Sequence, residues 1–491
     1  MTFFRLLFVI IALLGAFPLA AQETQTTSAA TEAGGPPAPG AETRSMSETS
    51  PSVTPTPPGT PRAAAKPAPL SPAPASSGDT WWENNFRIAG DFREEMAIRL
   101  ASPQNLTKLK GQARIDLKFI FSDHFKLRLG GRAWADGAYD LTGQYPKPVR
   151  SNMRKEVLLR DAYLDMTFPY INVRVGHQQI VWGEALGQFF ADVVTPKDFR
   201  EFILQNFEEM RLPIWAIDAQ FNPVPDLDLE VVLSPDQQVD KLALQGSDFA
   251  FRIPPTPGIE TVIQPDHRPS TNFKTWNAGL RASYLVSGWD LAWFYYTSPD
   301  HTPALRKTFS FDPLTGTPIL SLDPIHRRVH HVATTFSKGF DAFVVRGEFV
   351  YTIGRLFNST TPAAGEGLTQ SNLFRYVLGL DYDIQGHVLL NAEFQQEIVA
   401  RARSRISDDK MRTWFFLHAQ SNLFHDKLTP ELAFIVGLDG GDTMIRPKLT
   451  WNATDMITLS AGADFFTGPK NQLYGEFNGQ DRFYLNSQWR F

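Results

Sequence analysis

The chain has no cysteine among its 491 residues. That excludes a disulfide framework, thiolate metal ligation and cysteine nucleophiles. An excess of charge of one sign is also lacking. The 47 Lys plus Arg stand against 52 Asp plus Glu, a formal charge of −5, with no basic block to track a phosphate backbone. Nucleic acid is therefore not an expected partner. Beyond residue 21 no apolar run approaches the roughly 20 residues that a membrane-spanning helix needs, so an α-helical membrane protein is not expected. The motifs G-x-S-x-G and H-E-x-x-H are both missing. None of the histidines, His177, His330, His331 and His418 among them, stands at a convincing spacing from a Ser or an acidic pair. No enzyme activity, cofactor or metal is expected. Asp439 and Asp442, with glycines between them, offer a calcium-sized loop, but a hairpin turn is the simpler reading.

What is present divides the chain in three. Residues 1–21 carry Arg5, the apolar run Leu6 to Phe17 and a small-residue ending at Ala20-Ala21. This is the pattern of a secretory signal peptide. Residues 22–80 hold 12 of the 36 prolines and no aromatic residue. Such a stretch cannot bury enough apolar surface to offset backbone ordering, and a disordered linker is expected. At Trp81-Trp82 the composition changes sharply, and residues 81–491 read as one domain.

In that domain a period of two dominates. Phe86, Ile88, Phe92, Met96 and Ile98 share one face of a strand, with Glu94 as the exception. Arg87, Asp91, Arg93, Glu95 and Arg99 share the other. Residues 109–121 repeat the pattern, with Arg114, Asp116 and Lys118 opposite Ile115, Leu117 and Phe119. An apolar face backed by a heavily charged one is the signature of a transmembrane barrel, with lipid outside and water within. Trp276, Trp289, Tyr382, Trp451 and Trp489 fall near strand ends, where an interfacial girdle places amphipathic rings. Eight short turns alternate with nine longer connections, which predicts an all-β, antiparallel barrel of 18 strands; 16 or 20 also fit, because alternation weakens at 213–233 and 327–352. The last strand ends in Phe491, with Phe483, Leu485 and Trp489 on its apolar face. This resembles the signal that outer-membrane barrels present to their assembly machinery, so the expected location is the outer membrane of a Gram-negative bacterium, in contact with its lipid.

The predicted inward residues of the first strands lean basic: Arg87, Arg93, Arg99, Arg114, Arg128 and Arg132 against Asp91, Glu95 and Asp116. Later strands lean acidic, through Asp381, Glu393, Glu431 and Asp464 among others. The division predicts either a transverse field across the lumen or a wall of paired charges. The connection 184–212 is too long to be idle. Thr195-Pro196-Lys197-Asp198 has the form of an N-cap with Pro at the first helical position. Phe199, Phe202, Ile203, Phe207 and Met210 then recur at helical spacing, predicting a short amphipathic helix that constricts the pore. Trp182, Glu184, Asp198, Arg200, Glu201, Glu208 and Arg211 are the expected constriction residues. They either select solutes or pin the loop to the wall.

The segment 157–213 carries Leu159-Arg160-Asp161-Ala162-Tyr163-Leu164-Asp165, then Val173-Arg174-Val175-Gly176-His177 through Trp182-Gly183-Glu184, and finally Pro196, Asp198, Arg200, Glu208, Arg211 and Pro213. It resembles the outer-membrane family catalogued as domain of unknown function 1302, related to porin-like and alginate-export-like barrels. His177 stands where that family more usually has Arg. The resemblance implies a barrel, and a transport system for lipids or hydrophobic compounds with periplasmic, RND-type partners. Three functions remain open: a channel for small polar or anionic solutes, the outer-membrane component of an export system, or a structural sheath or adhesin.

Overall fold

Alternation along each strand forces a two-faced sheet, and a sheet with one lipid-compatible face must close on itself to leave no unpaired edge in a membrane. The computed structural model describes residues 81–188, 190–253, 256–359, 365–384, 386–400 and 406–491. The expected signal segment and Pro-rich stretch lie outside them. Eighteen antiparallel strands form one closed sheet. The first nine are β1 (Phe86–Arg99), β2 (Leu106–Ile120), β3 (Phe125–Asp136), β4 (Lys155–Thr167), β5 (Ile171–Gln178), β6 (Ile214–Val224), β7 (Leu227–Ser234), β8 (Asn277–Val286) and β9 (Trp289–Pro299). The second nine are β10 (Arg328–Phe340), β11 (Phe343–Asn358), β12 (Leu368–Ile384), β13 (Val388–Val399), β14 (Met411–Ser421), β15 (Leu428–Gly437), β16 (Thr443–Asn452), β17 (Ile457–Thr467) and β18 (Arg482–Arg490). Each pairs with its neighbours in the chain, and β18 returns to β1 with Phe92 opposite Trp489 and Met96 opposite Leu485. The expected count of 18 is observed.

The outer surface is apolar around its circumference, with Ile88, Phe92, Ile115, Leu378, Leu380 and Phe483 all exposed. Leaving a large apolar side chain in water rather than covering it costs about 1.5–3 kcal/mol. A continuous band of them is a surface for lipid. Aromatic rings mark the strand ends: Phe343 stacks on Tyr382 with centroids 4.4 Å apart, and Trp451 and Trp489 stand exposed. His177 belongs to this outer face, where its ring lies 5.3 Å from that of Trp215. The side chain at position 177 therefore faces away from the lumen.

Long connections build the opposite end. One carries the short helices Ala138–Leu141 and Lys147–Met153. Others contribute a three-stranded sheet of Glu260–Ile263, Ala304–Phe311 and Pro318–Ile325. The main hydrophobic core lies inside the barrel. There Trp182, Phe190, Val194 and Phe202 of the connection 179–213 pack against inward residues of the wall such as Ile214, Val232, Phe294 and Val350.

Candidate functional site

The connection between β5 and β6 leaves the wall after Gln178 and enters the barrel. Its peptide groups sit away from bulk water and need partners. The wall supplies them with charged side chains. Glu348 on β11 accepts from the amides of Glu184, Ala185 and Ala191 at 2.5, 2.9 and 3.1 Å. Glu393 on β13 accepts from Leu186 and Gly187 at 2.9 and 3.0 Å. Arg160 on β4, 1% exposed, donates to the carbonyls of Arg211 at 2.7 Å and Glu208 at 2.6 Å. Arg446 on β16 donates to Ile203 and Leu204 at 3.1 and 2.9 Å. At Gly187 the loop comes so close to the wall that a Cβ would collide with Gln395 and Phe416.

The predicted helix from Thr195 to Met210 is not formed; only Phe207–Met210 is helical. Thr195 does not cap. Its hydroxyl donates to the carbonyl of Ile180 at 2.7 Å and accepts from that residue's amide at 3.1 Å, closing the base of the loop. Asp198–Phe199 pairs as a short parallel strand with Lys241–Leu242. Phe202 takes a positive φ of 54°, incompatible with a right-handed helix. The apolar spacing instead reflects one-sided packing: Phe202 reaches Phe477 and Tyr474 at 4.7 and 5.9 Å between centroids.

Most expected constriction residues hold the loop rather than face a passage. Trp182, 2% exposed, packs on Phe294 and Tyr296 and donates to Glu230 at 2.9 Å. Asp198 and Glu156 share Arg200. Glu201 takes Lys108 and Lys110, and Arg211 pairs with Asp192 at 2.8 Å. The carbonyl of Glu184 accepts from Arg346. Glu208 alone of this set is well exposed, while reaching Arg114 at 2.8 Å. Of the expected pore-lining residues, Arg93 meets Glu209 at 2.6 Å, Asp91 lies 3.9 Å from Arg93, and Arg99 pairs with Asp248 of the connection 235–276. Arg128 spans Asp116 and Asp161, Arg132 is 3% exposed and reaches Glu209 at 3.7 Å, and Glu393 is wholly buried beneath the loop. Arg87 and Lys118 stand opposite each other across β1 and β2, toward the short-turn end, with no ion pair among the described residues.

The transverse field is replaced by local pairing. Asp381 is held by Arg346, Glu431 by Lys448, and Asp464 by both Arg446 and Arg482 at 2.8 and 2.7 Å. Asp439 and Asp442 likewise hold backbone, accepting from the amides of Thr413 and Tyr474, and the hairpin turn they sit in is closed by the amide of Gly437 donating to the carbonyl of Asp442 at 2.8 Å. Among the described residues no acidic or histidine cluster of metal-binding form occurs.

Between the loop and the wall of β1, β2, β14–β16 and β18 lies a cavity of about 310 Å3. It is lined by six cations, Arg93, Lys108, Lys110, Arg446, Lys448 and Arg482, and by the carboxylates Glu95, Glu209 and Glu431. Glu209, Arg446, Lys448, Arg482 and Glu348 were not singled out from the sequence. The inward parity of β11 and β16–β18 could have found four of them. Nothing in the sequence distinguished Glu209 from its exposed neighbour Glu208.

The family model described as Protein of unknown function (DUF1302) matches residues 104–397. No curated protein matches the chain. Among solved structures, Acinetobacter baumannii OccAB1 is 10% identical with a TM-score of 0.51, the alignment covering 83% of this chain and 96% of that one. Acinetobacter baumannii OccAB2 is 11% identical, with a TM-score of 0.49, over 84% and 99% of the two chains. A BenF-like porin from Pseudomonas fluorescens Pf-5 is 9% identical, with a TM-score of 0.49, over 83% and 98%. The likeness to OccAB1 is one of fold.

Proposed function

Because the chain belongs to the DUF1302 family, whose description names no solute, we propose that its function follows from its lumen: a porin-like channel of the Gram-negative outer membrane that passes small polar or anionic solutes. The observation that carries this reading is the cavity beside the loop, where six cations outnumber three carboxylates on the lining. Asp464, wholly buried, and Glu201 pair with four of those cations, Glu209 with Arg93 and Glu431 with Lys448, so the lining is charged throughout. A lumen lined by charged side chains suits polar solutes, and an excess of cations on the lining favours anions among them. The loop's many anchors favour a second reading, a plugged barrel opened by a periplasmic partner of an export system.

Single-channel conductance in planar bilayers separates the two, using the intact protein and a variant lacking residues 186–210. Steady conductance in the intact protein, larger and less selective after deletion, is the expected outcome. Silence that becomes large conductance on deletion would move the assignment to the plugged barrel. Silence in both would remove the channel reading.

A further inference from the structure

Two inward charges beside the inserted loop have no ion partner among the described residues. Arg375 on β12 and Glu397 on β13 are directly opposite each other in the register, which puts their Cβ atoms about 4.5–5.5 Å apart. They could reach one another, yet the guanidinium lies over the ring of Phe190, 5.2 Å from its centroid, and its buried Nε has no acceptor. Both side chains are half-buried, and inward parity directs that exposure to the lumen. The charges around them are engaged elsewhere. Arg355 takes Asp300 at 3.1 Å, and Arg412, opposite Glu397 on its other side, takes Asp408 and Asp409 at 3.6 Å. Glu348 pairs in register with Val377, and Val350 with Arg375. The two unpaired charges therefore stand one inward step from the loop's anchor, toward the long-connection end.

A free guanidinium beside a free carboxylate constrains what can bind. An anion would meet Arg375 but be repelled by Glu397, and a cation the reverse. A neutral solute would displace water from both charges while giving neither a charged partner, which is costly. A small zwitterion satisfies both at once, through a fork of hydrogen bonds from the guanidinium and a second charged contact to the carboxylate. We propose that Arg375 and Glu397 form a binding point for α-amino acids at the long-connection face of the inserted loop, with the solute carboxylate on Arg375 and its ammonium on Glu397. The site rests on the channel reading for its role and names one class of its polar solutes.

The test is ligand-observed saturation-transfer NMR at neutral pH on the folded, full-length protein in micelles, with alanine, lactate, alaninamide and lactamide as probes. These share one shape and carry, in turn, both charges, the anion alone, the cation alone and neither. One charge-assisted contact is expected to strengthen binding about tenfold, so alanine should exceed lactate and alaninamide by that factor each. Arg375→Gln should erase the margin over alaninamide, and Glu397→Gln the margin over lactate. Should either variant fail to fold, the wild-type probe series decides alone. Alanine binding no tighter than lactate, or no tighter than alaninamide, would overturn the site and leave the channel standing. Absence of conductance in KCl, with the alanine preference intact, would remove the channel and leave the site.

Discussion

Glu348 shows how this barrel uses its inward charges. An inward carboxylate on a porin-like wall reads naturally as a solute-facing group, yet this one is 3% exposed and serves three peptide amides of the inserted loop. Arg160 and Arg446 do the same for carbonyls. An irregular segment at the level of a membrane can persist only where its backbone groups are satisfied by protein or water. Leaving a buried donor without an acceptor costs about 1–3 kcal/mol. Glu348→Ala is therefore expected to free residues 184–191 without unfolding the barrel. The measurement is limited proteolysis of folded protein in micelles: new cleavage within 184–191, with the barrel fragment still resistant, is the predicted pattern. At this scale the sequence was legible for side-chain direction and illegible for partner. The length of the connection 184–212 places Arg200 and Glu201 in the lumen region, but only the folded path of the loop shows that they meet Asp198 and Lys108 rather than solute.

At the scale of elements, the strands with the weakest alternation turn out to be those covered from inside. β6 and β7 direct Ile214, Ala216 and Val232 inward, and β10 and β11 direct Val329, Ala333 and Val350 inward, all of them buried. A period of two reports a contrast between faces, and it fades where lipid lies on one side and a packed loop on the other. The helical spacing of Phe199 to Met210 misled for a related reason, since a loop lying in a groove also needs apolar groups on one side. Among the long connections, His326 ties the three-stranded sheet to the rim. Its Nε2 lies 2.9 Å from the Asp266 carboxylate and its Nδ1 2.7 Å from the Asp300 carbonyl. Burial pushes the imidazole down, but the hydrogen bonds to Asp266 and Asp300 prevail and hold it above its ordinary value. A pKa raised by folding gives stability that is complete below the unfolded value, about 6.5, and is lost as pH rises through the folded one. The protection of amides in 318–327, taken relative to the intrinsic base-catalysed rate, is thus expected to fall between neutral and mildly alkaline pH, and His326→Gln should flatten that dependence.

For the whole molecule, closure is set where the two ends of the domain meet. The amide and carbonyl of Gly90 exchange hydrogen bonds of 3.0 Å with Phe491, whose ring lies over Gly90 where a Cβ would collide with it. The terminal residue thus fastens β18 to β1. Removing Phe491 is expected to lower the yield of the form that runs folded in unheated electrophoresis, with the unfolded band rising in proportion. Strand number and closure were legible because they follow from counting turns and from the character of the last strand. The balance of charge was not. Acidic and basic residues were visible in separate stretches of sequence, whereas barrel closure brings Arg482 of β18 to 3.9 Å from Glu95 of β1.

The manner in which the loop is held has one more outcome. Glu348, Glu393, Arg160 and Arg446 grip peptide groups, which every residue type except proline presents alike on both sides. Side chains at Leu186, Ile203 and Phe207 line the cavity, while the wall's grip on the loop's peptide groups does not depend on which side chains stand there. Exchange of those residues would reshape the cavity and leave the grips on the backbone in place, so the lining can diverge by small hereditary steps without a new scaffold.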